Sequence, residues 1–273
     1  MPVVYMDIGL LFAVLLVASG IGVVLGWFAF RRRVPAPPAA ETSDALRPLL
    51  RLMSRADHAL ETYVTAIQGN LSVLGDDLPT DQQRWAVSRE AIARAAEQMK
   101  RHLQRVRLVR VGLDESGWRV APVNLARLLE SILIGLEPAA TERGVELRME
   151  VRGTPQAVPA DPEVVEEILT TLLDNAIKHN PAGTEVVAEL TSMNGQVVVK
   201  VSDNGKGIDL ENTASIFEEG ARDRAAGSSR GTGMGLYVAK LLTDLQGGSI
   251  EVSSEVGKGS SFRLALPLNR TAS

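Results

Sequence analysis

Apolar positions change their spacing three times along the chain. From Ile8 to Phe30 they run for 23 residues without a charge, and "RRR" follows at Arg31 to Arg33. A helix of about this length spans the roughly 30 Å hydrocarbon layer of a bilayer. From Met53 the apolar sites thin to a narrow stripe. Met53, Asp57, Leu60, Val64, Ile67, Leu71 and Leu74 are separated by alternating steps of four and three residues, with Asp57 as the charged member. "GDDLPT" interrupts it, and Thr80 stands three residues before Gln83, the spacing of a capping box. A second stripe runs through Ile92, Ala95, Met99, Leu103, Val106 and Val109. Two such stripes predict helices of about 25 to 30 residues joined as an antiparallel hairpin. So narrow a face buries little alone, and pairing of two hairpins in a four-helix bundle covers it.

After Asn124 the pattern mixes helix and strand. "VNLARLLESILIGLEPAATERG" is helical with Asn124 as cap, and "VELRMEV" alternates as a strand. "ADPEVVEEILTTLLDNAIKH" has Asp161 as cap and Pro162 at the first helical position. Strands are predicted over Glu185 to Thr191 and Gln196 to Val201, joined by the turn dipeptide Asn194-Gly195, and in "GSIEVSS" and "SSFRLALPL". Mostly antiparallel strands with three helices between them predict an α+β two-layer sandwich.

Composition narrows the function classes. The formal charge is −4, which gives no basic nucleic-acid surface. Zero cysteines exclude disulfides and thiolate metal sites, and three histidines are too few for a histidine-rich metal centre. The arginines after the apolar run, with Asp7 and no basic residue ahead of it, favour a retained anchor over a cleaved signal peptide. The positive-inside bias then puts the remainder in the cytoplasm. About seven residues precede the span, so no extracytoplasmic sensor domain is expected. "VPAPPAAETSD" reads as a linker.

Three short stretches carry chemistry. Asn175 and Lys178, three apart on one helix face, offer a hard oxygen for magnesium and a point charge for phosphate. "SDNGKGID" ends a strand on Asp203, with Gly205 and Gly207 allowing close approach of a flat ring. "GTGMGLYVAKLL" sets Gly231, Gly233 and Gly235 at a helix start, where backbone N–H groups suit phosphates. It is neither a Walker A loop nor a dinucleotide fingerprint.

In this order the stretches resemble the Bergerat-type ATPase fold of sensor histidine kinases, gyrase-like topoisomerases, MutL-like repair proteins and related chaperones. "NAIKH" is similar to the N box, "DNGKGI" to the first glycine box, "IFEEG" around Phe217 to the phenylalanine box, and "GTGMGLYVAKLL" to the second glycine box. "GKGSSFRLALP" resembles the closing strands of histidine kinases. The resemblance implies that Asn175 binds the magnesium on ATP, Lys178 a phosphate, and Asp203 the adenine. Gly205, Gly207, Gly231, Gly233, Gly235 and Leu236 would shape the nucleotide pocket, with His179 near the ribose or phosphates. The segment from Glu211 to Thr232 would be a lid. Topoisomerase-like members use a glutamate at the position of Thr171 to activate water, so Thr171 points to phosphotransfer.

"SRADHALETYVTAIQGNLSVL" resembles the region that carries the phosphoacceptor histidine, which falls on His58. Three residues depart from the family. Ala59 replaces an acidic neighbour that orients the imidazole, a loss worth about 10²- to 10⁴-fold. Glu61 stands for a frequent arginine and Tyr63 for a proline, while Thr62 keeps a hydroxyl that family members use to place a water for phosphatase activity. His102 reads as structural or solvated. The implied organisation is an anchor at 1–33, a linker at 34–45, a dimerisation and phosphotransfer hairpin at 46–115 and an ATP-binding domain at 119–269. The implied protein is a homodimeric, single-pass kinase of the inner (plasma) membrane. It would phosphorylate His58 from ATP and Mg2+ and pass the group to an aspartate of a response regulator, with room for a membrane sensing partner. Two alternatives stand: a degenerate ATP-binding scaffold or phosphatase, which Ala59 supports, and a serine kinase of the anti-sigma kind, against which the hairpin and the span argue.

Overall fold

The computed structural model describes residues 62–70, 82–112, 118–209, 213, 215–218 and 234–269. The apolar stretch at Ile8 to Phe30, His58, the 34–45 linker and most of the lid lie outside the described residues. Among the described residues no helix is long and apolar enough to cross a membrane. The chain divides into two compact units, the first ending at Val106 and the second starting at Arg107.

In the first unit, α1 covers 62–70, and α2, Gln82–Gly112, crosses the division between the units. The seam of α2 differs from its predicted course at one layer. Within the first unit its buried positions are Ser88, Ile92, Ala95, Met99, His102 and Val106, whereas Leu103 is only half-buried. Steps of four and three still alternate throughout, so His102 takes a full seam position.

A buried imidazole on a seam carries a cost. The Nδ1–H donates to the Gln98 carbonyl at 3.1 Å. The Nε2 lone pair is then left buried without a partner among the described residues. The Tyr63 ring of α1 stands edge-on, with centroids 5.5 Å apart. Burial, reinforced by Arg105 and Arg101 and opposed by the Gln98 bond, holds His102 below the usual histidine range. The folded hairpin therefore binds a proton less readily than the unfolded chain. The stability contributed by neutral His102 is present above the ordinary pKa of about 6.5 and is lost as pH falls below it. Amides around His102, corrected for intrinsic rates, are expected to lose hydrogen-exchange protection between about pH 7.5 and pH 5.5. His102→Leu should remove that dependence. Equal protection at both pH values in the unsubstituted chain would contradict this assignment.

The second unit is built on a five-stranded sheet in the order β2-β4-β5-β7-β6. Its strands are β2 (Glu146–Val151), β4 (Glu185–Met193), β5 (Gln196–Asp203), β6 (Ser249–Glu255) and β7 (Gly259–Pro267). The pairings are antiparallel except β2 with β4, which are parallel and joined by a crossover containing a helix. Val186, Ala188 and Leu190 on β4 alternate onto the buried face, as do Val197, Val199 and Val201 on β5 and Phe262, Leu264 and Leu266 on β7. The three helices α3 (Leu125–Arg143), α4 (Pro162–His179) and α5 (Gly235–Leu245) supply the rest of this core, through residues such as Leu129, Ile168, Leu172 and Leu242. The other face is charged: Glu189, Lys200, Arg263 and Glu251 stand in register across β4, β5, β7 and β6.

The local signals explain the element ends. Asn124 caps α3 by accepting from Arg127 N at 3.1 Å, and Gly144 ends it with φ +66°. Asp161 caps α4 by accepting from Glu163 N at 3.0 Å. Its second oxygen accepts from Arg119 N at 2.9 Å, and its own N–H donates to Gln246 at the end of α5 at 3.2 Å. Asn194 and Gly195 both adopt positive φ, as a tight hairpin turn requires. A small ribbon, β1 (Ala121–Val123) against β3 (Val158–Ala160), was not predicted; each of its strands has a proline at its centre.

Candidate nucleotide-binding site

The last turns of α4 carry the first set of polar groups. Asn175 is half-buried, while Lys178 and His179 are exposed. Lys178 Nζ pairs with Asp174 one turn earlier at 2.5 Å. Both side chains are partly exposed, so the pair holds the ammonium with only about 0.3–0.5 kcal/mol and leaves it able to turn to a phosphate. One turn before Asn175, Thr171 is buried and lies beside Gly235, the first residue of α5; a Cβ on Gly235 would sit 3.4 Å from the Thr171 methyl. The Asn175 face of α4 thus leads to the start of the glycine-box helix. Thr171 also donates to the buried Glu167 carboxylate at 3.3 Å.

The loop after β5 carries the second set. Asp203 ends the strand, and its Oδ1 accepts from Gly205 N at 3.0 Å and Ser260 N at 3.2 Å. Burial pushes its carboxyl above the usual range, against the pull of these two N–H groups and of the Asn180 side chain. A carboxylate offers about four lone-pair sites, so these two backbone donors leave room for a further N–H. An amino group on an incoming ring is a donor of that kind.

The loop is pinned on three sides. Asn204 Oδ1 accepts from Glu185 N at 2.8 Å, tying it to the start of β4. Gly257 N donates to Lys206 O at 2.7 Å and Ile208 N to Ser254 Oγ at 2.8 Å, tying it to the β6–β7 hairpin. Asn180 ties it to α4: its Nδ2 donates to Ala176 O at 2.9 Å, and its Oδ1 accepts from Lys206 N at 3.3 Å. Gly207, at φ +71°, runs so close to the hairpin that a Cβ there would lie 2.1 Å from Glu255 O. The backbone here runs so close to the hairpin that it leaves no room for a side chain on that side.

Of the predicted site residues, Asn175, Lys178, His179, Asp203, Gly205, Gly207, Gly235 and the half-buried Leu236 all lie in the second unit. Gly231 and Gly233 fall outside the described residues, and Thr62 is exposed at the start of α1 in the first unit. Phe217 packs edge-on against Phe262 of β7, with centroids 6.3 Å apart. Asn180, Asn204, Ser254 and Ser260 were not assigned to the site from the sequence. Their partners lie between 4 and 57 residues away along the chain, and only the fold brings most of them together.

Residues 160–270 match the family described as histidine kinase-, DNA gyrase B- and HSP90-like ATPase. Sensor protein GacS of Pseudomonas syringae pv. syringae is 36% identical over 154 residues, or 54% of this chain and 17% of that protein. Sensor protein SrrB of Staphylococcus aureus is 27% identical over 226 residues, or 79% of this chain and 37% of that protein. The chain therefore spans less than two fifths of either relative. Among solved structures, ShkA in complex with AMPPNP has a TM-score of 0.62 at 21% identity, covering 81% of this chain and 46% of that one. Histidine kinase ThkA in complex with response regulator TrrA has 0.56 at 20% identity, covering 82% and 62%. Residues 160–270 thus match the histidine kinase-, DNA gyrase B- and HSP90-like ATPase family, and the relatives similar to this chain are sensor proteins.

Proposed function

We propose that the chain is a membrane-anchored sensor histidine kinase that transfers the γ-phosphoryl group of ATP to His58 and then to an aspartate of a response regulator. The observation that carries the reading is the meeting of three elements in the second unit. The end of α4 with Asn175 and Lys178, the Asp203–Ile208 loop and the start of α5 are linked through Asn180 and through the Thr171–Gly235 contact. Asp203 and the glycines of its loop would hold the adenine, and Lys178 would hold the phosphates. Asn175 would hold magnesium, which neutralises charge on the transferring phosphoryl group. An imidazole nitrogen of His58 would attack the γ-phosphorus, with ADP as the leaving group. The hairpin supports a homodimer, and the uncharged Ile8 to Phe30 run supports an anchor in the plasma membrane with the catalytic part in the cytoplasm. The ThkA–TrrA complex supports a response regulator as the next acceptor.

Ala59 favours the second reading, an ATP-binding scaffold or phosphatase without autokinase activity. The two readings separate on rate. With γ-labelled ATP the kinase reading expects slow formation of an acid-labile, base-stable adduct. Ala59→Glu, by restoring a neighbouring carboxylate, should speed it about ten-fold or more. No label in either protein, with ATP binding intact, would favour the scaffold.

A further inference from the structure

Of the three attachments of the Asp203 loop, one reaches the helix that bears Asn175 and Lys178, and it is a single side chain. Asn180 follows α4 with extended backbone, φ −107° and ψ 154°, and its carboxamide turns back over the helix end. One N–H of Nδ2 goes to the Ala176 carbonyl, and the side chain favours the ionised form of the nearby Asp203 carboxyl. Its Oδ1 takes the Lys206 N–H. The carboxamide is therefore held through both its nitrogen and its oxygen, which keeps the side chain in one orientation. The fit is close: a Cβ on Gly205 would lie 1.9 Å from Asn180 Oδ1 and 2.4 Å from its Cγ. Gly205 does not need positive φ. Its lack of a side chain serves the approach of Asn180.

We propose that Asn180 is a positioning residue for base recognition, a strut from the phosphate-side helix that fixes the orientation of the Asp203 carboxylate toward the amino group of adenine. The proposal rests on the nucleotide-binding reading of the site. Guanine presents a carbonyl where adenine presents its amino group, so the orientation of this carboxylate decides between them. Without the strut, the Lys206 N–H loses the Asn180 oxygen, and Gly205, whose N–H holds the Asp203 carboxylate, loses the side chain it is seated against. The adenine half of the pocket would then loosen while the magnesium ligand and Lys178 stay in place.

The test is calorimetry on the detergent-solubilised full chain with magnesium-ATP and magnesium-GTP, with thermal melting of each variant alongside. Asn180→Ala is expected to weaken ATP about ten-fold, leave the weak GTP binding nearly unchanged and so shrink the ATP/GTP ratio, an effect that general destabilisation does not produce. Asn180→Asp keeps the acceptor for Lys206 N but sets a carboxylate against Asp203, and should bind ATP more weakly than Asn180→Ala. Gly205→Ala should weaken ATP in the unsubstituted chain and cost little more in the Asn180→Ala background, because the clash is with the side chain already removed. Should Asn180→Ala fail to fold, Asn180→Asp and Gly205→Ala still read the strut. No ATP binding by the unsubstituted chain would refute the nucleotide reading itself. Binding there, with an unchanged ATP/GTP ratio in Asn180→Ala or full-strength ATP binding by Asn180→Asp, would overturn the strut alone.

Discussion

Asn175→Ala is expected to abolish magnesium-dependent binding of ATP while leaving weak, metal-independent binding in place. Magnesium keeps most of its waters and phosphate oxygens and takes only one or two ligands from protein. In the proposed site the ion would come with the nucleotide and take Asn175 as its one fixed protein oxygen. Asn175 is half-buried on the α4 face that leads from the Thr171–Gly235 contact. Truncation removes the ligand without touching the Asp203 loop. Affinity measured with magnesium should fall by about a hundred-fold or more, toward the value measured with a chelator, in line with loss of a charge-assisted contact in a partly buried site. The melting temperature without nucleotide should hardly move. Unchanged magnesium-ATP affinity in this variant would remove Asn175 from the site.

Gly207→Ala is the second large effect, and it acts through backbone alone. At φ +71° an alanine carries a left-handed strain of about 1–2 kcal/mol. Its Cβ would also fall 2.1 Å from Glu255 O and 2.7 Å from Glu255 C, and neither atom is the end of a flexible side chain. The hairpin or the loop must shift, and the 2.7 Å bond from Gly257 N to Lys206 O lies in the path of that shift. ATP affinity should fall by about ten-fold or more, and the melting temperature by several degrees. Gly153→Ala is a matched control. That glycine has φ +77° with nothing within 4 Å of a new Cβ, so it carries the strain without the collision and lies away from the site. Gly153→Ala should leave ATP binding unchanged. Equal binding losses in the two variants would show that the close approach at Gly207 does not matter.

Features set by a few neighbouring residues are legible in the sequence. The caps at Asn124 and Asp161, the proline opening α4 and the Asn194-Gly195 turn each depend on local backbone chemistry, and each forms as expected. So do Asp203 at a strand end and Gly235 at a helix start, because the change from strand to glycine-rich loop to helix is itself a pattern. Features that depend on distant crossings are not legible. The Pro122–Pro159 pairing joins two segments that each look unfit for a ladder, since proline withholds its N–H. In α2, steps of three and four both fit after Met99, so spacing alone does not choose between His102 and Leu103. The phase of the whole seam chooses His102. In the sequence Asn180 is one more polar residue after His179, and its link to Lys206, 26 positions on, appears only when the α4 end and the loop meet.

The most direct test of the central claim is the fate of the label when the intact chain is incubated with γ-labelled ATP and magnesium beside His58→Gln. The unsubstituted chain should accumulate an acid-labile, base-stable adduct. His58→Gln should bind ATP equally well and acquire none. Label retained in His58→Gln, or an acid-stable ester in place of a phosphoramidate, would contradict phosphoryl transfer to His58.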